Sequence, residues 1–255
     1  MMHPHIGDIV EGIIRRKKFV YLCTNALLFK KAFKVIPPSP YFSFVVHLDG
    51  LRETHDIAVD RQGVYDVAIK MIEEAKERGY RICTNTTLYN GTRPEEYHQF
   101  FAMLNTMGVE GMMVSPGFEY KEVGDQPIFL QRQQAQDFFR RVFQGCKKGT
   151  RFYNNPLYRD FLQGQRHYQC SMWTVPTYTV MGWRQPCYLL ATEGHATTFA
   201  ELMETTPWDR YGYGKDRRCD TCMMHCGYEG SAILEALAKP SVGWQLFKRT
   251  AFTRD

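Results

Sequence analysis

Apolar positions in the first half of the chain alternate between two rhythms. Ile6, Ile9, Val10, Ile13 and Ile14 recur at helical spacing over residues 5–18, a stretch closing on Arg15, Arg16, Lys17 and Lys18. Those cations suit the negative C-terminal end of a helix. Residues 19–23 form a short continuous apolar run, predicted as a buried strand, and Thr24-Asn25-Ala26 follows. Residues 27–36 predict a brief helix ended by Pro37, Pro38 and Pro40. Residues 42–48 predict a second strand running into Asp49-Gly50. Val64, Val67, Ala68, Met71, Ile72 and Ala75 then mark one face of a helix over residues 64–78, with Gly79 as its stop. Residues 80–86 read as a third strand, and Thr92-Arg-Pro-Glu95 predicts a capping box with proline in the first turn. The helix it opens carries Tyr97, Phe100, Phe101 and Leu104 and stops at Gly108. Residues 111–115 predict a fourth strand, and residues 125–143 a mostly helical segment.

Helix and strand alternating through short connections predict βαβ units around a parallel sheet, an α/β fold. Ligands of such sheets sit at the carboxyl ends of the strands. The polar residues there are Asn25, His47 with Asp49, Asn85 with Thr87, and Ser115. Each alone reads as a cap, turn or loop residue. Four strands all ending in polar groups predict a shared site.

Cysteine changes the picture in the last third. Five of the eight cysteines lie there, as Cys170, Cys187 and Cys219-Asp-Thr-Cys222-Met-Met-His-Cys226. A two-residue spacer lets both thiolates of a Cys-x-x-Cys unit face one metal, and four thiolates complete an iron–sulfur cluster or a structural zinc site. Scattered Cys23, Cys83 and Cys146 read instead as buried free thiols. The N-terminus shows no secretory leader pattern, so a reducing, cytoplasmic setting is expected and disulfides are not. No apolar run approaches a membrane span.

Composition adds bounds rather than direction. With 255 residues, 44% hydrophobic and 23% charged, the chain is one large domain or a domain with a substantial appendage. The net charge of +5 is mild, and no Lys/Arg block interleaved with aromatics argues for nucleic acid.

Thr24-Asn25-Ala26, the strand end His47-Leu-Asp49-Gly50 and Ser115-Pro116-Gly117 resemble the middle strands of a radical S-adenosylmethionine (SAM) barrel. Residues 11–25, 182–190 and 222–228 resemble the adenosyl-hopene transferases of hopanoid biosynthesis, and the resemblance runs over nearly the whole chain. It implies a [4Fe–4S] cluster and SAM as cofactors, an electron donor, and addition of a 5′-deoxyadenosyl radical to a hopene-type polycyclic alkene. Asn25, Asp49, Asn85 and Ser115 become candidate SAM contacts, with no catalytic residue assigned. The family's Cys-x₃-Cys-x₂-Cys loop and Gly-Gly-Glu-Pro stretch are absent, and Met2-His3-Pro4 resembles what directly follows the latter. The expectation is an N-terminally truncated, incomplete radical SAM (β/α) barrel over residues 1–148, inactive alone, and a cysteine-rich extension over residues 149–255.

Cys219, Cys222 and Cys226 run Cys-x₂-Cys-x₃-Cys, the reverse of the SAM-cleaving order. The resemblance points instead to an auxiliary cluster. Cys170, Gly182 and Cys187 match a Cys-x₉₋₁₅-Gly-x₄-Cys element, Cys219 and Cys222 its later partner, and Cys226 is a spare or substitute ligand. His225 reads as structural. Trp173, Tyr178, Trp183 and Tyr188 are either a pocket for a polycyclic hydrocarbon or ordinary core. Residues 231–250, apolar with Lys239, Lys248 and Arg249, are either a peripheral membrane contact or, with Pro240 interrupting, a tail packed on the domain. The competing reading is a non-catalytic α/β scaffold whose cysteines hold zinc or a cluster.

Overall fold

The computed structural model describes residues 1–119, 127–190 and 192–251. They divide into two compact units that interleave along the chain. Met1–Leu88, Thr92–Val114 and Gly145–Tyr153 make the first; Tyr89–Gly91, Ser115–Gln144 and the chain from Asn154 onward make the second.

The first unit runs α1 (Ile6–Arg15), β1 (Val20–Thr24), α2 (Phe29–Ala32), β2 (Phe42–His47), α3 (Arg52–Ala58), α4 (Val64–Glu77), β3 (Arg81–Leu88) and α5 (Pro94–Thr106). β4 (Gly111–Pro116) begins in this unit. The four strands form one sheet in the order β1-β2-β3-β4, as their alternation with helices predicts. β1 pairs with β2 in parallel, Val20 opposite Phe42, and β2 with β3, Ser43 opposite Arg81. β2 is the centre of the core: Phe42, Phe44, Val45 and Val46 are all but fully buried. The Phe44 ring packs tilted against Phe29, centroids 4.4 Å apart, and against Tyr80 at 5.3 Å, whose hydroxyl donates to the Ile36 carbonyl.

Three expectations fail here, each for a physical reason. β1 is not a buried strand. It ends the sheet order, so it has one strand neighbour, and the row Phe19, Tyr21 and Cys23 is exposed, with Phe19 at 70%. Cys23 is therefore no buried thiol, whereas Cys83 is one. The start of α5 lies one residue later than expected: Arg93, not Thr92, is its N-cap, with Pro94 in the first turn, and Glu96 accepts from the Leu51 N–H at 3.0 Å. α3 has no counterpart in the apolar pattern, because the residues it buries are His55 and Asp56. Asp56 accepts from the N–H groups of Gly63 (2.7 Å) and Tyr65 (2.9 Å), capping α4 from a distance.

The second unit contains α6 (Arg132–Gly145, its last residue in the first unit), α7 (Pro156–Leu162), β5 (Tyr178–Thr179), β6 (Gly182–Arg184) and β7 (His195–Ala196). α8 (Phe199–Thr205), α9 (His225–Ala238) and α10 (Pro240–Ala251) complete it. α6 answers the helix expected over residues 125–143, of which residues 125 and 126 lie outside the described residues. Side-chain caps start α7 and α8, Asn155 accepting from Tyr158 N–H and Thr198 from Glu201 N–H. β5, β6 and β7 form a small antiparallel sheet. Gly182 takes φ +115°, and a Cβ there would stand 2.6 Å from the Ala196 carbonyl oxygen, so only glycine lets β6 approach β7.

α10 is tied down by the Arg249–Asp160 pair, two bonds of 2.6 and 2.9 Å, as expected of a packed tail. It and α9 nonetheless leave Leu237, Trp244 and Phe247 exposed. No described helix is long and apolar enough to cross a membrane.

Candidate metal centre

Cys170, Cys187, Cys219, Cys222 and Cys226 all belong to the second unit, and all five line one cavity. Local turns bring them there. Cys170 precedes the 3-10 turn Met172–Thr174, Cys187 follows β6, and Cys219 ends the 3-10 turn Arg217–Cys219. Cys222 lies on the approach to α9, and Cys226 sits in the first turn of that helix. Phe118, Met172, Leu189 and Leu190 supply apolar wall. None of the five is in a disulfide.

Each sulfur meets backbone N–H. Met172 points its N–H at Cys170, Leu189 and Leu190 at Cys187, Gly212 at Cys219, Met224 at Cys222 and Gly227 at Cys226. Such donors favour the thiolate and are a lever on the properties of a metal–thiolate cluster. Burial works the other way and wins. It pushes all five thiols up, Cys222 to about 12, and the charge of neighbouring thiolates adds to it at Cys170 and Cys226. A nest of thiols that resist ionising together, yet are each offered N–H donors, fits a cationic guest. Among the described residues no three or more His, Cys, Asp or Glu are spaced to hold a single metal ion.

The surrounding packing is specific. A Cβ on Gly227 would lie 2.1 Å from the Cys170 sulfur. Ser171 N–H donates to the Gly227 carbonyl at 3.1 Å, and Ser231 Oγ to the Gln169 carbonyl, fastening Cys170 to α9. The fully buried Tyr158 donates to the Met223 carbonyl at 2.7 Å, and Arg132 Nη2 to that of Cys222 at 2.6 Å. His225 opens α9, and burial pushes its imidazole pKa down. Of the four aromatics considered for a hydrocarbon pocket, only Tyr188 packs beside Phe118, Leu189 and Cys226. Trp183 lies between Tyr178 and Phe199 at 5.1 and 5.2 Å, and Trp173 is 40% exposed.

The strand ends form a different constellation in the first unit. Thr24 is level with Val46, and His47 with Asn85, so the residues after β1 and β2 and the middle of β3 line up across the sheet. Asn25 is exposed, and its Oδ1 accepts from Leu27 N–H in an Asx turn. Asn85, half-buried, accepts from Leu48 N–H through its carbonyl. Asp49 is fully buried; its Oδ1 accepts from His47 Nε2 and from Thr87 N–H, both at 2.8 Å. Its own N–H donates to His55 Nδ1 at 3.2 Å, which places the His55 proton on Nε2. Burial opposes charge on His47, but the hydrogen bond and charge of Asp49 outweigh it and hold the pKa above the ordinary value. Burial lowers that of His55. Among the described residues, Asp49 Oδ2, His55 Nε2, Thr84 Oγ1 and Thr86 Oγ1 are buried with no partner. Ser115 lies in the second unit and is buried.

The apolar pattern missed His55 and the Thr84/Thr86 pair. His55 sits in a charged segment with no distinguishing signal, while alternating threonines in β3 were visible as one polar face.

Residues 1–104 match the Radical SAM superfamily, a family that uses a [4Fe–4S] cluster and SAM. Residues 112–246, more than half of the chain, match the family described as "Domain of unknown function (DUF3463)". Among solved structures, native anSMEcpe with bound AdoMet and Cp18Cys peptide is similar over 88% of this chain and 71% of its own, with 15% identity and a TM-score of 0.53. Native anSMEcpe with bound AdoMet is similar over 83% and 64%, again with 15% identity and a TM-score of 0.53. Streptococcus suis SuiB is similar over 56% of this chain, with 18% identity and a TM-score of 0.48. The chain spans only 33% of the length of that SuiB structure. No curated protein matches. The anSMEcpe likeness is one of fold.

Proposed function

The chain belongs to the DUF3463 family and carries a radical SAM domain, and from that premise we propose that its cysteine cavity holds an auxiliary iron–sulfur cluster in a radical SAM transferase. Cys170, Cys187, Cys219 and Cys222 are the proposed ligands, with Cys226 able to replace one of them. The observation that carries this reading is the convergence of five thiols, each facing backbone N–H, on one apolar cavity. A cluster bound there would supply one-electron chemistry; the protein's part is to ligate it, donate N–H to its sulfurs and keep water away.

The SAM-cleaving cluster is a separate matter. In residues 1–104 the cysteines are Cys23 and Cys83, on different strands, which do not fit a three-thiolate loop, so no step through that cluster follows from these residues. For the whole protein we propose adenosyl transfer from SAM to a hopene-type polycyclic alkene, with an external electron donor, in the cytoplasm. An incomplete (β/α) barrel over residues 1–148 and an extension over residues 149–255 belong to the same reading. Asn25, Asp49, Asn85 and Ser115 remain proposed SAM contacts, and the unpartnered Asp49 Oδ2 supports the second of them. Exposed Leu237, Trp244 and Phe247 support a peripheral contact with a membrane holding such a substrate.

The second reading is a zinc held by the same thiols in a non-catalytic scaffold. Anaerobic reconstitution with iron and sulfide separates the two. A brown chain with stoichiometric iron and sulfide supports the cluster; a colourless one that takes up one zinc overturns it. Adding SAM and dithionite, then assaying for 5′-deoxyadenosine, asks whether this chain alone cleaves SAM, which is not expected.

A further inference from the structure

The cysteine cavity is flanked by two guanidinium groups whose hydrogen bonds go to the backbone of the cysteine loops. Arg132, the first residue of α6, donates from Nη2 to the Cys222 carbonyl (2.6 Å) and from Nε to the Asp220 carbonyl (3.1 Å). The same Nη2 reaches the Tyr228 hydroxyl at 3.0 Å, and the guanidinium carbon lies 4.1 Å from the centre of the Tyr213 ring. Arg184, at the end of β6, donates from Nη1 to the Tyr188 carbonyl at 2.9 Å, immediately after Cys187. Among the described residues its Nε is buried with no partner.

Arg218 is the contrast. It also neighbours a cysteine, Cys219, but it is paired with Asp216 and Glu193, so its charge is answered within the protein. Among the described residues no carboxylate pairs with Arg132 or Arg184. A part-buried cation held only by carbonyls and rings is costly unless an anion arrives. Four thiolates around a cluster leave net negative charge beside these two loops.

We propose that Arg132 and Arg184 are positioning residues of the cluster site, which fasten the Cys219–Cys222 and Cys187 loops and supply the countercharge to a thiolate-ligated cluster. The inference rests on the cluster reading above. It also divides each arginine's work in two. The planar fork holds the loop, which lysine cannot reproduce. The charge biases the bound cluster toward its more negative, reduced form.

The test uses the full chain reconstituted anaerobically with iron and sulfide, in wild type and in R132K, R132Q, R184K, R184Q and R218Q. Iron release to a chelator and the midpoint potential from an EPR-monitored titration are read for each. R132Q and R184Q are expected to release iron about tenfold faster, the scale of one lost charge-assisted hydrogen bond, and to shift the potential downward. R132K and R184K should release iron faster with a potential near that of wild type. R218Q should leave the release rate near that of wild type, because Arg218 bonds Asp216 and Glu193 rather than the carbonyls of the cysteine loops. If a glutamine variant fails to fold, the lysine variants still decide through release rate. A loaded wild type whose R132Q and R184Q variants keep both its release rate and its potential overturns this inference alone. A wild type that takes up no iron and sulfide overturns the cluster reading and this inference with it.

Discussion

A single methyl group separates Gly227 from collision with Cys170: a Cβ at 227 would stand 2.1 Å from the Cys170 sulfur. The first turn of α9 thus serves as a wall of the thiol cavity, and its hydrogen gives the sulfur room. Gly227→Ala should cost about 1–3 kcal/mol of stability, the scale of an overpacked interior. It should also lower iron uptake on reconstitution. Wild-type uptake by a folded variant would show that Cys170 does not need its present position.

Single Cys→Ala changes at Cys170, Cys187, Cys219 and Cys222 should each reduce bound iron, and Cys146→Ala should not. Cys226→Ala is the informative case. If Cys226 is the spare, its loss leaves iron content unchanged. Iron and acid-labile sulfide assays on all six variants give the ligand set. Full iron in a Cys222→Ala, Cys226→Ala double variant would remove Cys222 from it.

Protonation of His47 should stabilise the first unit. Its folded pKa lies above the ordinary 6.5, so the contribution is complete below about 6.5 and fades as pH rises through the raised value. His55 works in the opposite sense: its folded pKa is lowered, so stability falls as pH drops below about 6.5, where the unfolded chain gains a proton. Urea denaturation from about pH 5 to about pH 8 should lose its alkaline slope in His47→Gln and its acid slope in His55→Gln. Unchanged slopes in both variants would mean that the Asp49 network does not set their protonation.

Asp56→Ala should destabilise the chain by about 1–3 kcal/mol, because two N–H acceptors at the start of α4 are removed at once. The hydrogen bonds from Tyr65 and Gly63 hold the carboxyl below its usual range. The stabilisation is therefore present above about 3.8 and is lost as pH falls through the depressed value. Denaturant midpoints at neutral pH check the first figure, and acid titration of wild type against variant checks the second.

The sheet was legible in the sequence because β2 is buried along nearly its whole length, leaving a continuous apolar run between turn residues. β1 misled for the same reason: Phe19, Tyr21 and Cys23 are apolar, but they lie on the exposed face of the terminal strand. α3 was invisible because its buried side chains are a histidine and an aspartate serving polar networks rather than an apolar stripe. At the cysteines, the short spacing of Cys219, Cys222 and Cys226 marked a ligand group, while the joining of distant Cys170 and Cys187 to it rested on the family resemblance. Arg132 carried no such mark. It is 90 residues from the carbonyl it binds, in a helix read only for its periodicity.

The interleaving of the two units has a consequence for how the chain can be made. The first unit includes Gly145–Tyr153, and within it Met112 bridges to Phe152, so its contacts are not complete until that segment has been synthesised. The second unit draws on Tyr89–Gly91 and Ser115–Gln144, which leave the ribosome long before α9 and α10. Phe118 and Arg132 therefore wait in the nascent chain for cysteines still to be translated. A fragment beginning at Asn154 would be born without either of them, which sets where this protein can be divided for expression and where it cannot.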